Sequence, residues 1–304
     1  MISSSKSKKK TLRSLNINSK KVLKKKPTKK TLFMGSGFDL LFGLIYLSKK
    51  YKNLDIPFKF DKRYGYQRND FMNYGVRFDC NYFDSKQKLI LPLIEKKFFD
   101  LIKKSKKRFL AIFVYIKWDC KSNSAHFNSL LFDTKLKTIE RFEPYTTFKE
   151  SKYLDVVSKF DKKFIKLLKK KLEDYTYIKP TGFCPKIGFQ QKEEQSLLSV
   201  RTMKTLGNYE LDNDPGGFCG AWVLYFLNLK LENPDVDSKK LLKKVYKYLE
   251  KDHHSFRSFI RNYSSFIVKE RTKILKSLKK NTVNSVIGVN TLLENKFSKM
   301  INRH

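Results

Sequence analysis

Cys219 stands in the segment Gly216-Gly217-Phe218-Cys219-Gly220-Ala221-Trp222. The turn residues Asp214-Pro215-Gly216-Gly217 run here into an apolar stretch, Cys219 to Leu231, long enough for a buried helix. A thiol is a nucleophile only as its thiolate, and the orphan N–H groups at a helix N-terminus favour that anion. Cys80 and Cys120 fall instead at the edges of predicted strands, and Cys184 precedes Pro185 in a loop. The base for such a nucleophile is an imidazole, and the chain has 4 histidines, at positions 126, 253, 254 and 304. His126 begins a predicted strand and so sits on a rigid element, whereas His253-His254 lies between two Lys-rich helices and His304 is the last residue. A β-hairpin centred between Thr134 and Lys135 sets His126 directly opposite Glu143, on one face, where the carboxylate can accept the ring N–H and fix its tautomer. Glu140 then points to the other face and Asp133 lies at the turn. The chemistry predicted is acyl transfer through a Cys219-His126-Glu143 triad. The bland readings are a small buried hydrophobe at 219, a structural histidine at 126 and a solvent-facing carboxylate at 143.

The positioning elements follow from periodicity. Phe109 to Trp118 is a short apolar, β-branched and aromatic run that suits a buried strand. His126 to Asp133 and Thr138 to Glu143, ended by Pro144, form the hairpin. Residues 150–174 carry apolar positions at helix spacing, Tyr175 to Ile178 and Lys186 to Gln190 read as short strands, and Ser238 is placed to cap a helix running to about 251. A further basic helix covers Phe256 to Leu278. The expected fold is α+β, a central mixed β-sheet flanked by helices, with the cysteine at the N-terminus of a buried helix. The expected division is a disordered basic arm (1–30), an N-terminal accessory region (31–108), a catalytic core (109–235) and basic C-terminal helices packed on it (236–304).

With 304 residues, 40% hydrophobic and 14% aromatic, the chain can bury a substantial core. The formal charge of +37, from 66 Lys+Arg against 29 Asp+Glu, predicts attraction to polyanions such as nucleic acid, through the arm and the surface. Residues 1–30 alone hold twelve Lys or Arg and no acid. Four widely and irregularly spaced cysteines give neither a CxxC pair nor a disulfide ladder, so reduced thiols in a cytosolic setting are expected. No zinc-ligand spacing, Gly-rich phosphate loop, signal peptide or membrane span is evident, and neither metal nor cofactor is expected.

His126-Phe127-Asn128-Ser129-Leu130-Leu131-Phe132-Asp133, Lys137-Thr138-Ile139-Glu140-Arg141-Phe142-Glu143-Pro144-Tyr145 and Gly217-Phe218-Cys219-Gly220-Ala221-Trp222 resemble, in that order, the His strand, acid strand and nucleophile helix of a known family. This is the family of cysteine proteases that includes adenovirus-type processing proteases and SUMO-deconjugating proteases, above all the versions found in large DNA viruses. The resemblance covers residues 109–235. It implies a thiol endopeptidase with a papain-like active site, cutting polyprotein or ubiquitin-like substrates at Gly-Gly-X sites, in a virion, viral factory or host cytoplasm. The family's oxyanion-hole Gln usually lies about six residues before the cysteine; Asn213 stands there, and Gln190 is the other candidate. Two alternatives accompany this reading: an acyltransferase using the same triad, and a non-catalytic basic nucleic-acid-binding scaffold.

Overall fold

The computed structural model describes residues 33, 35, 37–56, 75–80, 86–91, 95–121, 125–145, 152–193, 218–251 and 256–277. The expected arm (1–30), Asn213, and His253, His254 and His304 lie outside them. The elements in chain order are α1 (Gly37–Lys50), β1 (Leu54–Asp55), β2 (Val76–Asp79), β3 (Lys88–Ile90), α2 (Glu95–Lys104), β4 (Phe109–Lys117), β5 (Ala125–Asp133), β6 (Thr138–Phe142), α3 (Lys152–Lys171), β7 (Thr176–Ile178), α4 (Cys219–Glu232), α5 (Ser238–Lys251) and α6 (Phe256–Ser277). The architecture is mixed α+β.

β4 organises the molecule. Its sequence is apolar at every position from Phe109 to Val114 because the strand is central and both of its faces are covered. The sheet runs β3-β2-β4-β5-β6-β7, with β1 also pairing β4. β1 and β2 lie parallel to β4, and β5 and β6 continue as an antiparallel meander. β7 is parallel to β6, which requires a long crossover, and α3 supplies it. Strands β1 to β3, from residues 31–108, therefore belong to the same sheet as the hairpin.

The period of two in β4 divides its side chains between two cores. Leu110, Ile112, Val114 and Ile116 pack with Phe98 of α2 and with Phe160 and Phe164 of α3. Phe109, Ala111 and Phe113 pack on the opposite side with α1, α4, α5 and α6. α4 is apolar nearly all round, and it is enclosed by α1, α6 and the sheet, so Trp222, Val223, Leu224, Phe226 and Leu227 are all fully buried. Each such side chain contributes about 1.5–3 kcal/mol through area removed from water. At Gly220, a Cβ would come within 2.7 Å of Leu40 Cδ2, so the start of α4 lies close against α1 and a side chain there would make Leu40 shift.

Four expectations need correction. The hairpin is centred between Lys135 and Leu136, not between Thr134 and Lys135: Asp133 pairs with Thr138 and Ser129 with Phe142. Lys137 takes positive φ (54°) in the four-residue connection, and Asp133 Oδ1 accepts the N–H groups of Lys135 and Leu136, which sets the turn one residue further on. Residues 189–193 form a helical turn where a strand to Gln190 was expected, because Gly188 packs on the backbone of Tyr145 and Lys192 N–H returns to Gly188 O. Asp237, not Ser238, caps α5, its Oδ1 accepting the Lys240 N–H at 3.0 Å, while Ser238 Oγ donates to Glu140 Oε2 at 2.6 Å. Finally, Cys80 and Cys120 form a disulfide rather than two thiols, with Cα atoms 5.4 Å apart. Parallel pairing of β2 with β4 brings the ends of the two strands together, although 40 residues separate the cysteines in sequence.

Candidate active site

Cys219 is the first residue of α4, and its thiol is not in a disulfide. Phe218, just before the helix, already has helical backbone angles; its ring stacks parallel to Phe33, and its carbonyl accepts the Trp222 N–H at 2.9 Å. The entry into the helix is thus fixed by packing and by the first helical hydrogen bond. Only 5% of Cys219 is accessible. The Trp222 indole N–H donates to Glu193 Oε2 at 3.1 Å, tying the turn 189–193 to α4.

His126, on β5, is 5% accessible, and its Nε2 lies 2.6 Å from Glu143 Oε1. With Nε2 engaged by the carboxylate, Nδ1 is the ring nitrogen left for the Cys219 sulfur, with which the ring makes a hydrogen bond. Burial by itself would push the imidazole down, but the Glu143 carboxylate and then the Cys219 sulfur outweigh it and lift the ring from 6.5 to about 10. His126 is therefore an imidazolium at neutral pH. Glu143 is 3% accessible; burial pushes its carboxyl up, but His126, Arg141 and the Tyr153 hydroxyl outweigh that and leave it below the usual carboxylate range. Oε1 also accepts the Tyr145 backbone N–H at 2.8 Å, and Oε2 accepts the Tyr153 O–H. The Arg141 guanidinium lies 3.8 Å from Oε2. The rings of Trp118, Tyr145 and Tyr153 all meet the His126 ring edge-on, at centroid distances of 6.4, 5.9 and 5.5 Å.

Cys219, His126 and Glu143 are thus brought together, though not by the register expected from the sequence. Continuing the observed pairing sets Asn128 opposite Glu143 and His126 on the diagonal. A shift of two residues keeps every side chain on its face, so His126 and Glu143 meet although the register is not the expected one. Gln190 lies beside the site, its backbone N–H donating to Pro144 O at 2.9 Å, one residue beyond the carboxylate. The residues behind the carboxylate, Tyr153, Asn128 and Arg141, were missed by sequence reasoning. Tyr153 carries only the helical periodicity of α3, and nothing local distinguishes it from a core aromatic. Cys184 has its thiol against the backbone of Glu143, and burial pushes that thiol up.

Among the described residues no group of three or more His, Cys, Asp or Glu is placed to hold a metal ion, and no helix is long and apolar enough to cross a membrane. The arrangement as it stands can move one proton between sulfur and ring while holding the ring against a fixed negative charge.

No family model matches the chain. A protein of Acanthamoeba polyphaga mimivirus that carries the name of an ankyrin repeat protein is 29% identical over 268 residues, which is 82% of this chain and 33% of that protein. The chain thus spans about a third of that relative's length. Among solved structures, the Chlamydia trachomatis effector protein Cdu1, bound to ubiquitin, is 13% identical with a TM-score of 0.43, the match covering 83% of this chain and 98% of that one.

Proposed function

We propose that this protein is a cysteine protease of papain-like mechanism, with Cys219 as nucleophile, His126 as general base and acid, and Glu143 orienting the ring. The observation that carries the reading is the buried contact of His126 Nε2 with Glu143 Oε1 at 2.6 Å while the same ring is hydrogen-bonded to Cys219. In the first half-reaction the proton that Cys219 and His126 share rests on the ring, and the sulfur attacks the peptide carbonyl. The imidazolium then protonates the departing amine, and a thioester to Cys219 remains. Water, giving a proton to His126, attacks the thioester, and collapse releases the acid and frees the Cys219 sulfur beside the charged ring. The developing oxyanion needs preorganised donors, for which the backbone N–H groups at the start of α4 and the Gln190 or Asn213 side-chain amide are the candidates.

The substrates we propose are polyprotein or ubiquitin-like proteins cut at Gly-Gly-X, in the setting of a large DNA virus. The resemblance in the three motifs and the mimivirus relative support this assignment. Nucleic acid is a second proposed partner. Lys159, Lys162, Lys163, Lys166, Lys169 and Lys170 form an exposed stripe along α3, and their phosphate contacts would weaken steeply with salt.

The test is cleavage of Gly-Gly-X peptides and of ubiquitin carrying a C-terminal fluorophore by wild type, Cys219→Ala and His126→Ala. Both variants are expected to lose activity, and undiminished cleavage by either would sink the assignment. Incubation with an acyl-CoA, read by mass spectrometry, separates a transferase: acetylated product without cleavage would replace protease with acyltransferase.

A further inference from the structure

The proton donors behind Glu143 form a chain with only one possible direction. Arg141, 2% accessible, can only donate; its Nε and Nη2 are spent on Asp161 at 3.1 and 3.2 Å, and its Nη1 donates to Asn128 Oδ1. With its oxygen turned to Arg141, Asn128 must present its amide N–H₂ to the Tyr153 hydroxyl, and Nδ2 lies 3.2 Å from it. Tyr153 then accepts from Asn128, so its single proton points at Glu143 Oε2, which at the end of the chain can only accept. No amide flip or hydroxyl rotation satisfies all four groups in another way. Asp161 is held in turn by the Tyr177 hydroxyl at 2.7 Å, so the chain is anchored on both α3 and β7.

From this geometry we infer that Tyr153 is a positioning residue for the triad, donating to Glu143 so that the carboxylate stays ionised and aimed at His126, with Asn128 and Arg141 setting the direction of that bond. The inference rests on the triad reading above. Burial, with Glu143 next to it, holds the Tyr153 phenol well above its ordinary range, so it remains a donor throughout the working pH range. The groups facing Glu143 are His126 from β5, Arg141 from β6, Tyr153 from α3, and the thiol of Cys184; Cys219 acts on it through His126, and Asp161 and Tyr177 through Arg141. Among the described residues only Tyr153 donates to Oε2 at hydrogen-bond distance, Arg141 standing off at 3.8 Å. The Tyr153 ring also lies edge-on to Trp118 at 5.4 Å, so Tyr153→Phe keeps the packing and removes the donor alone.

The experiment is the pH dependence of Cys219 alkylation by iodoacetamide, located by peptide mass mapping, in the full chain of wild type and Tyr153→Phe. This readout needs no substrate, so it stands or falls separately from peptide cleavage. Losing a hydrogen bond to a buried carboxylate should raise the pH at which Glu143 takes up a proton, moving the acid limb of the profile up by about one pH unit. Should Tyr153→Phe fail to fold, Asn128→Asp serves: it keeps the shape, can no longer donate to Tyr153, and draws the phenol proton away from Glu143, moving the limb in the same direction. An acid limb within about 0.2 unit of wild type in a folded variant overturns the inference, whatever the protein does to peptides.

Discussion

Glu143→Gln removes the charge of the proposed triad and keeps its shape. The amide oxygen can take the place of Oε1 and accept from His126 and from the Tyr145 N–H, while the amide N–H₂ faces the Tyr153 hydroxyl, whose proton must turn away and lose its acceptor. What disappears is the negative charge 2.6 Å from the ring. In the wild type that charge, with the Cys219 sulfur, overcomes burial and lifts His126 to about 10. Without it the Cys219 sulfur alone stands against burial; a ring returned to its ordinary 6.5 keeps the imidazolium at pH 7.5 in only about a tenth of the molecules. Alkylation of Cys219 at pH 7.5 should therefore slow by about tenfold, and peptide cleavage with it. Stability carries the same signature. A folded pKa raised above the unfolded one contributes stability that is complete below about 6.5 and is lost as pH rises through about 10. Urea unfolding of the wild type should accordingly show a decline in this contribution between those pH values, and the variant should lack it. An alkylation rate for Glu143→Gln within about twofold of wild type at pH 7.5 would refute the claim that the carboxylate holds the ring charged.

Two further substitutions test the frame around the site. Replacing Cys80 and Cys120 together by Ser removes a cross-link spanning 40 residues, which on chain entropy should lower unfolding free energy by about 4 kcal/mol, read by urea denaturation; an unchanged midpoint would mean the bridge does not constrain the unfolded chain. Gly188→Ala would put a Cβ 1.6 Å from Tyr145 O and 2.6 Å from Pro144 O, so the segment that follows Glu143 must move. Overpacking of this kind costs about 1–3 kcal/mol, and the alkylation profile of Cys219 should shift with it, since Tyr145 N–H is one of the donors to Glu143.

The local features that could be read from the sequence were those whose physics is local. The apolar run Phe109 to Trp118 marked a buried strand, the Gly-Gly turn ahead of an apolar stretch marked a helix start at Cys219, and the periodicity of 150–174 marked α3, observed as Lys152–Lys171. The two-residue alternation of a hairpin was enough to pair His126 with Glu143, because face survives an error of two in register. Asp237 as the cap of α5 was passed over because Ser238 beside it is an equally good capping residue, and only backbone geometry separates neighbours. Tertiary structure alone decided the rest. The Cys80–Cys120 bridge depends on which strand β2 pairs with, a choice made across the whole sheet. The proton chain from Arg141 through Asn128 and Tyr153 to Glu143 joins three separate elements, and its direction exists only once all four side chains are buried together and every donor must find an acceptor. Sequence could name the candidates Cys219, His126 and Glu143; what surrounds the Glu143 carboxylate is written in the packing of α3 on the sheet.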